Sequence, residues 1–360
     1  MLSLPFLKGG KSVIGLDLGS SYVKLLELTK GRNGYQAKAF GVKKLPPEAI
    51  VDGALMNSTV IVEAIRELVD RHRIRTKDVV TSVSGHSVII KKITLPSMTQ
   101  EELEESILWE AEQYIPFNID EVNIDAQILS SGSDDSGQME VLLVAAKKEL
   151  ISDYVSVITE AGLQPAIIDV DAFAIENMFE MNHGMDEEGT VVLVDIGASF
   201  ININVIRRGV TAFTRDISPG GNQFTEEIQK QLNVSYEEAE ALKIGGDVLE
   251  DTQSVVPQEV ENIMVGVSEN VAAEIQRSLD FYSATSTEDR ISKVYLSGGS
   301  AMVPGLTQLI EDRTGVPVEI LNPFQQIEVQ DKIIRPEILR QIAPMAAVVV
   351  GLAIRKVGDK

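Results

Sequence analysis

The sequence has no cysteine, which removes disulfides, thiolate metal sites and cysteine nucleophiles together. Histidine is scarce. His72, His86 and His183 are the only three, none at a metal-ligand spacing from another, so each reads as a surface or packing residue. Basic residues are outnumbered, 32 Lys and Arg against 54 Asp and Glu, for a net charge of −22. Such a surface repels phosphate backbones and anionic lipid, which argues against nucleic acid or a bare membrane as partner. Long apolar runs are missing too: a membrane-spanning helix takes about 20 residues. The longest run, Ile342 to Ile354, holds Pro344 and Gly351 and stops at Arg355-Lys356; it reads as a buried core helix. The apolar stretch in MLSLPFLKGGK is too short for a signal peptide. The expectation is a cytoplasmic chain with no direct membrane insertion. At 360 residues and 44% hydrophobic, it is long enough for two or more domains with sizeable cores.

What is present is a pattern written twice. GLDLGSSYVK, Gly15 to Lys24, is an apolar run interrupted by Asp17 and closed by Gly19, Ser20 and Ser21. From Val191 runs VVLVDIGASFININVIRRG. With Asp17 set on Asp195, Gly19 meets Gly197, Ser21 meets Ser199, Tyr22 meets Phe200, Val23 meets Ile201 and Gly31 meets Gly209. In both copies a strand carries an acid, turns at glycine and returns as a strand, so both predict β-hairpins and together a duplicated domain. One such aspartate is an ordinary turn cap; two matched hairpins call for a shared chemistry. A Gly-Ser turn exposes backbone N–H groups and lets phosphates approach closely. Ser20, Ser21 and Ser199 add hydroxyl donors. Asp17 and Asp195 are placed to hold a hydrated Mg²⁺ from either side, and Lys24 to reach a phosphate.

Three further pieces accompany the hairpins. Val294 to Gly305, VYLSGGSAMVPG, is a strand running into Gly298-Gly299 and then a helix. PGGNQFT carries Gly220 and Gly221 into a helical stretch. Glu240 and Lys243 share one helix face at i and i+3. Taken singly, these are a plain strand-to-helix turn and a surface ion pair.

In this order the motifs resemble the actin, Hsp70 and sugar-kinase ATPase superfamily. That resemblance implies an α/β, actin-like two-lobed ATPase fold with duplicated ribonuclease-H-like subdomains. It makes the hairpins two phosphate loops, Gly298 and Gly299 an adenosine loop, and Gly220, Gly221, Glu240 and Lys243 the lining of a nucleoside pocket, with ATP and Mg²⁺ as cofactors. The connecting helices fall near 169–179 and 344–354, where Ala172, Ala174, Ala346, Ala347 and Gly351 suit a close crossing.

The resemblance narrows at LPSMTQEELEESILWEAEQYIPFNIDEVNIDAQIL, VLLVAAKKELISDYVSVITEAGLQPAIIDVDAFAIENMF and GGNQFTEEIQKQLNVSYEEAEALKIGG. Over essentially the whole chain these are similar to the PilM family of type IV pilus assembly, related in architecture to the bacterial cell-division actin homologue. It implies a small α/β subdomain inserted in the first lobe. The expected division is 1–89, 165–187 and 331–360 for the first-lobe main subdomain and 90–164 for the insert. The second lobe takes 188–219 with 290–330, and a smaller subdomain takes 220–289.

The inserted segment supports that division. Thr99 and Glu102 form a capping box. Leu103, Ile107, Ala111 and Tyr114 recur at helical spacing up to Pro116. Strands are expected at 122–129 and 139–145, joined by the polar tip SSGSDDSGQ. A second helix, with Ile151, Tyr154, Val155 and Ile158 as its face, ends at Gly162. Trp109, the only tryptophan, reads first as core packing, with an exposed edge for a partner as the alternative. In the second lobe Pro257 opens a long helix with a stripe of Val260, Met264, Val267, Val271 and Ile275.

By the same resemblance the protein is an ATP-binding scaffold held peripherally at the inner membrane through other proteins. Its expected partners are the cytoplasmic N-terminal peptide of PilN, in a groove between the main and inserted subdomains of the first lobe, other pilus machine components, and copies of itself. The stretch Ser82 to Leu95 reads as strand with a basic spot, and Val88, Ile90, Lys91 and Lys92 are the candidate peptide contacts by strand addition, with an ordinary buried or hinge strand over 88–93 as the equal alternative. A divisome-type actin is the alternative, although such proteins usually carry a C-terminal amphipathic helix and this sequence ends at IRKVGDK. A small-molecule kinase would need a substrate-facing base and a cavity for the acceptor; no sugar-kinase signature is found, and the inserted segment differs from the usual kinase insertions. Actins orient water with a glutamine near the first connecting helix. Here Asp169-Val-Asp171 stands instead, leaving Asp171 and Asp195 as catalytic candidates and slow or no turnover as the expectation.

Overall fold

The computed structural model describes residues 12–31, 34–131, 137–185, 189–245, 256–286 and 290–358. The N-terminal stretch read for a signal peptide and the tip of the polar loop, 132–136, lie outside them.

Two large sheets carry the duplication. In the first, strands run in the order Gln164–Val170, Asp78–Val83, Ile14–Leu18, Tyr22–Gly31, Gly34–Lys44, with the short Ile327–Glu328 added at the edge. In the second, the order Val318–Ile320, Lys293–Ser297, Thr190–Ile196, Ile201–Arg207, Val210–Ile217 repeats the first five. The sense of pairing repeats as well: a three-strand antiparallel meander beside two parallel strands. Central strands covered on both faces should be apolar throughout, and Ile14–Leu18 and Thr190–Ile196 are, apart from Thr190 at one end and Asp17 and Asp195 near the other.

The helices Asp171–His183 and Ala347–Ala353 cross between the sheets. A Cβ on Gly351 would stand 1.7 Å from the carbonyl oxygen of Ala174, so only glycine permits this approach. The apolar run 342–354 is buried as expected, although a 3-10 turn, Ala343–Ala346, interrupts it after the helix Pro336–Ile342. By composition Pro336–Ala353 is apolar enough to cross a membrane. Its burial against Leu26, Val80 and Phe179 makes it core.

The inserted unit differs from expectation in three ways. First, 82–95 is two strands, Asp78–Val83 and Val88–Pro96, broken at Gly85, whose φ is +84°. The second of these joins Gln138–Lys147 and Val122–Ser131 in a three-stranded antiparallel sheet, at its edge. Second, the helix Lys148–Glu160 turns Leu150, Tyr154, Val157 and Ile158 inward, with Val155 exposed. That face packs in the main first-lobe core with Ile61, Ile65 and Leu68. The insert's own core is Ile93, Leu95, Leu103, Ile107, Ala111 and strand residues of its sheet. Third, Trp109 is not core: it is 77% exposed. The capping box of Thr99 and Glu102 forms in both directions. In the second lobe the helix Gln258–Thr285 follows Pro257 and buries the whole expected stripe.

Candidate functional site

Each hairpin turns the same way. Gly19 N–H donates to the Tyr22 carbonyl at 3.1 Å, and Gly197 N–H to the Phe200 carbonyl at 2.9 Å. The two turns meet across the cleft, where Ser199 Oγ donates to Ser20 Oγ at 2.8 Å. Asp17 lies opposite Lys24 in the strand register, and Lys24 Nζ donates to Asp17 Oδ2 at 2.7 Å, both side chains nearly buried. Asp195 lies opposite Asn202 and its Oδ1 accepts from Ser297 Oγ at 2.7 Å. Ser21 closes the first turn by accepting the Leu45 N–H through its carbonyl.

Asp171 opens the connecting helix and its Oδ1 accepts from Ser82 Oγ at 2.5 Å. Burial, then the nearby Asp17 charge, pushes Asp171 up to about 7. Burial likewise pushes Asp195 up to about 6, against the hydrogen bond from Ser297 and the Lys24 charge. Asp17, Asp171 and Asp195 therefore share one poorly solvated region with the single ammonium of Lys24. A divalent cation relieves that excess of negative charge. Among the described residues no three carboxylate or histidine side chains are placed to grip a metal directly. The arrangement fits a hydrated ion held by Asp17 and Asp195 through water, as Mg²⁺ is commonly held.

The second hairpin turn is buttressed by the later glycines. Gly220 N–H donates to the Ser199 carbonyl and Gly221 N–H to the Gly197 carbonyl, at 2.9 and 2.7 Å. Gly298, at φ +89°, puts its missing Cβ 2.4 Å from the Ile196 carbonyl; a side chain there would push the turn away from the hairpin. Beside Gly299 the space is open. The element after it is a short 3-10 turn, Gly299–Met302, before the helix Leu306–Thr314. Glu240 and Lys243 are a nearly buried ion pair at 2.6 Å, and Thr225 Oγ1 donates to Glu240 Oε2 at 2.5 Å.

Some of the site was not anticipated. Ser82 and Ser297 hold the acids, and Asp216 bridges the lobes: its carboxylate accepts the Gly85 N–H at 2.8 Å and Asn202 Nδ2 at 2.7 Å. His86 packs edge-on against Phe200 of the second turn. Ser297 stands immediately before the quoted Gly298-Gly299, which was a usable signal; Asp216 had none.

The candidate peptide contacts divide. Val88 is buried in the first-lobe core. Ile90, Lys91 and Lys92 line a cavity of about 570 Å³ whose far wall is Thr211 to Thr214 of the second sheet's edge strand. That cavity opens between the insert and the second lobe, rather than between the two parts of the first lobe. The basic spot is partly neutralised, since Lys92 pairs with Glu140 at 2.8 Å and Lys91 donates to the Tyr114 carbonyl.

The family model for type IV pilus assembly protein PilM matches residues 15–357. A solved chain described as the PilM-PilN type IV pilus biogenesis complex is 30% identical, with a TM-score of 0.85 over 98% of this chain and 100% of that one. The cell division protein FtsA of Streptococcus pneumoniae is 26% identical over 86% of this chain and 75% of its own length. MreB 5 of Spiroplasma citri bound to AMPPNP, 14% identical over 95% of this chain and 94% of that one, reaches a TM-score of 0.50 and shares the fold. The fold is that of the actin-like ATPases, and the chain belongs to the type IV pilus assembly protein PilM family.

Proposed function

We propose that this protein is a nucleotide-holding scaffold of the pilus assembly machine. Its hairpin cleft binds Mg-ATP, and the open edge of Val88–Pro96 receives the cytoplasmic N-terminal peptide of PilN, linking the machine's cytoplasmic parts to its membrane complex. The observation that carries this reading is the full-length likeness to a chain from a PilM-PilN complex. The facing turns at Ser20 and Ser199 support the nucleotide half. When bound, the metal neutralises phosphate charge; the chain's own residues supply turn N–H groups, serine hydroxyls and the Lys24 ammonium around it. The peptide half rests on two sheet-edge strands facing one cavity, a geometry suited to strand addition.

The test has two arms. A fluorescent ATP analogue is titrated with Mg²⁺ into wild type, Asp17→Ala and Asp195→Ala; equal binding in all three would remove the nucleotide reading. A PilN N-terminal peptide is titrated into wild type and Ile90→Asp. A loss of about tenfold or more in the variant is expected for a buried contact. Equal affinity would move the site elsewhere, and no binding to wild type would remove peptide capture. The likeness to FtsA favours a second reading, a divisome tether. Recovery of division proteins rather than pilus proteins from detergent-solubilised membrane would select it.

A further inference from the structure

The insert helix Gln100–Ala111 has two faces of opposite character. Leu103, Ile107 and Ala111 are buried in the insert's core. On the other side Leu108 is 53% and Trp109 77% exposed. A tryptophan carries roughly 150–250 Å² of largely apolar surface, and one left in water is unusual outside an interface. The pair lies in the last turn of the helix, between Ile107 and Ala111, whose burial fixes the helix's rotation. Around it stand Glu104, Glu105 and Glu112, all exposed and one helical turn away from Leu108 or Trp109. The wider setting is as one-sided: from Ile93 to Ala146 there are twelve Asp and Glu and no Lys or Arg. Half of the chain's net charge of −22 therefore sits in the inserted segment.

We propose that this helix face is a docking surface for a basic, amphipathic segment of a partner protein. Leu108 and Trp109 are the apolar anchor, and the glutamates form a rim that pairs with Lys or Arg. Charge complementarity selects the occupant. A second copy would set acid against acid, and anionic lipid would be repelled in the same way. The surface is a helix face, separate from the strand edge at Ile90, so this contact stands or falls independently of the PilN peptide.

Because Trp109 is the only tryptophan, its emission reports on this face alone. The full chain is titrated with a labelled amphipathic Lys-Leu peptide and with a shuffled peptide of the same composition. Expected are a saturable blue shift of Trp109 emission with the amphipathic peptide and weaker binding at higher salt. By anisotropy of the label, Trp109→Ala and the double variant Glu104→Lys with Glu105→Lys should each lose about tenfold or more in affinity. The charge-matched control Asp153→Lys with Glu160→Lys, on the exposed side of another helix, should bind like wild type. Unchanged melting temperatures establish that the variants are folded. Equal binding of the shuffled peptide, an unmoved emission or an unaffected Trp109→Ala variant would overturn the proposal. So would a dimer, or adhesion to anionic vesicles, that Trp109→Ala abolishes, since either names a different occupant.

Discussion

The two hairpins share a backbone and differ in what holds their acids. Gly15 lies opposite Val80 in the first sheet, so continuing that register sets Ser82 beside Asp17, as Ser297 is set beside Asp195 in the second. Ser297 keeps to the pattern and donates to Asp195. Ser82 donates instead to Asp171 on the connecting helix, and Asp17 is left to Lys24. The cross-strand position explains the split: it is Lys24 in the first hairpin and Asn202 in the second. Asn202 is engaged with Asp216 and through it with Gly85 of the other lobe. A duplicated scaffold has thus been divided into an ion-paired half and a half tied by neutral donors, and the second half also carries the contact between lobes.

The strongest way to break this comparison is to remove the cation from the first half. Lys24→Met leaves the buried Asp17 carboxylate without its ion pair. Stripping one partner from a buried pair costs about 3–5 kcal/mol, which denaturant unfolding would register as a lower midpoint. Nucleotide affinity should fall with it. A variant as stable as wild type would mean that Asp17 is already satisfied by other groups. The next effect tests the second half. Gly298→Ala sets a side chain at φ +89° and against the Ile196 carbonyl, so a loss of about 3 kcal/mol is expected from backbone strain and overpacking. Gly19→Ala should be far milder, since its Cβ would meet nothing nearer than 3.1 Å. Equal losses in the two would deny that Gly298 is packed more tightly than the hairpin glycines, since Gly197, the counterpart of Gly19, has nothing nearer than 3.2 Å.

The duplication was legible because it is local: acid, glycine, aromatic and closing glycine recur at the same offsets, and local offsets are what a hairpin constrains. The contacts that distinguish the halves were not, since Ser297 reaches Asp195 across 102 residues and Asp216 reaches Gly85 across 131. The helix Lys148–Glu160 shows a second limit. Ile151, Tyr154, Val155 and Ile158 have helical spacing, and so do Leu150, Tyr154, Val157 and Ile158. Only the neighbouring core chooses between the two faces. Trp109 is a different case, because the signal was present. Two residues beyond Ile107 is about 200° around a helix, so the stripe that predicted the buried face already placed Trp109 opposite it. The preference for burying aromatics outweighed the helix's own geometry in that reading.

The smallest effect sharpens the comparison most, because stability and binding should move in opposite directions. Burial holds Asp195 at about 6, above its ordinary 3.8. The folded chain therefore binds that proton more tightly than the unfolded chain does. The stability this contributes is full below pH 3.8 and is lost as pH rises through 6. Asn at 195 keeps an oxygen for the Ser297 hydroxyl and cannot ionise. Without nucleotide or divalent ion, Asp195→Asn should be more stable than wild type by about 1–2 kcal/mol near neutral pH, and level with it in acid. Some slope should persist in the variant, since Asp171, at about 7, has the same sign. The same substitution takes a negative charge from the proposed metal site, so Mg-nucleotide affinity should fall. The matching change in the first hairpin, Asp17→Asn, should lower both quantities, since it leaves Lys24 unpaired. Unfolding midpoints across pH for the two variants, read beside nucleotide titrations, decide the matter. If Asp195→Asn follows the wild-type pH profile, the second acid carries no strain, and the two halves of the cleft are electrostatically alike after all.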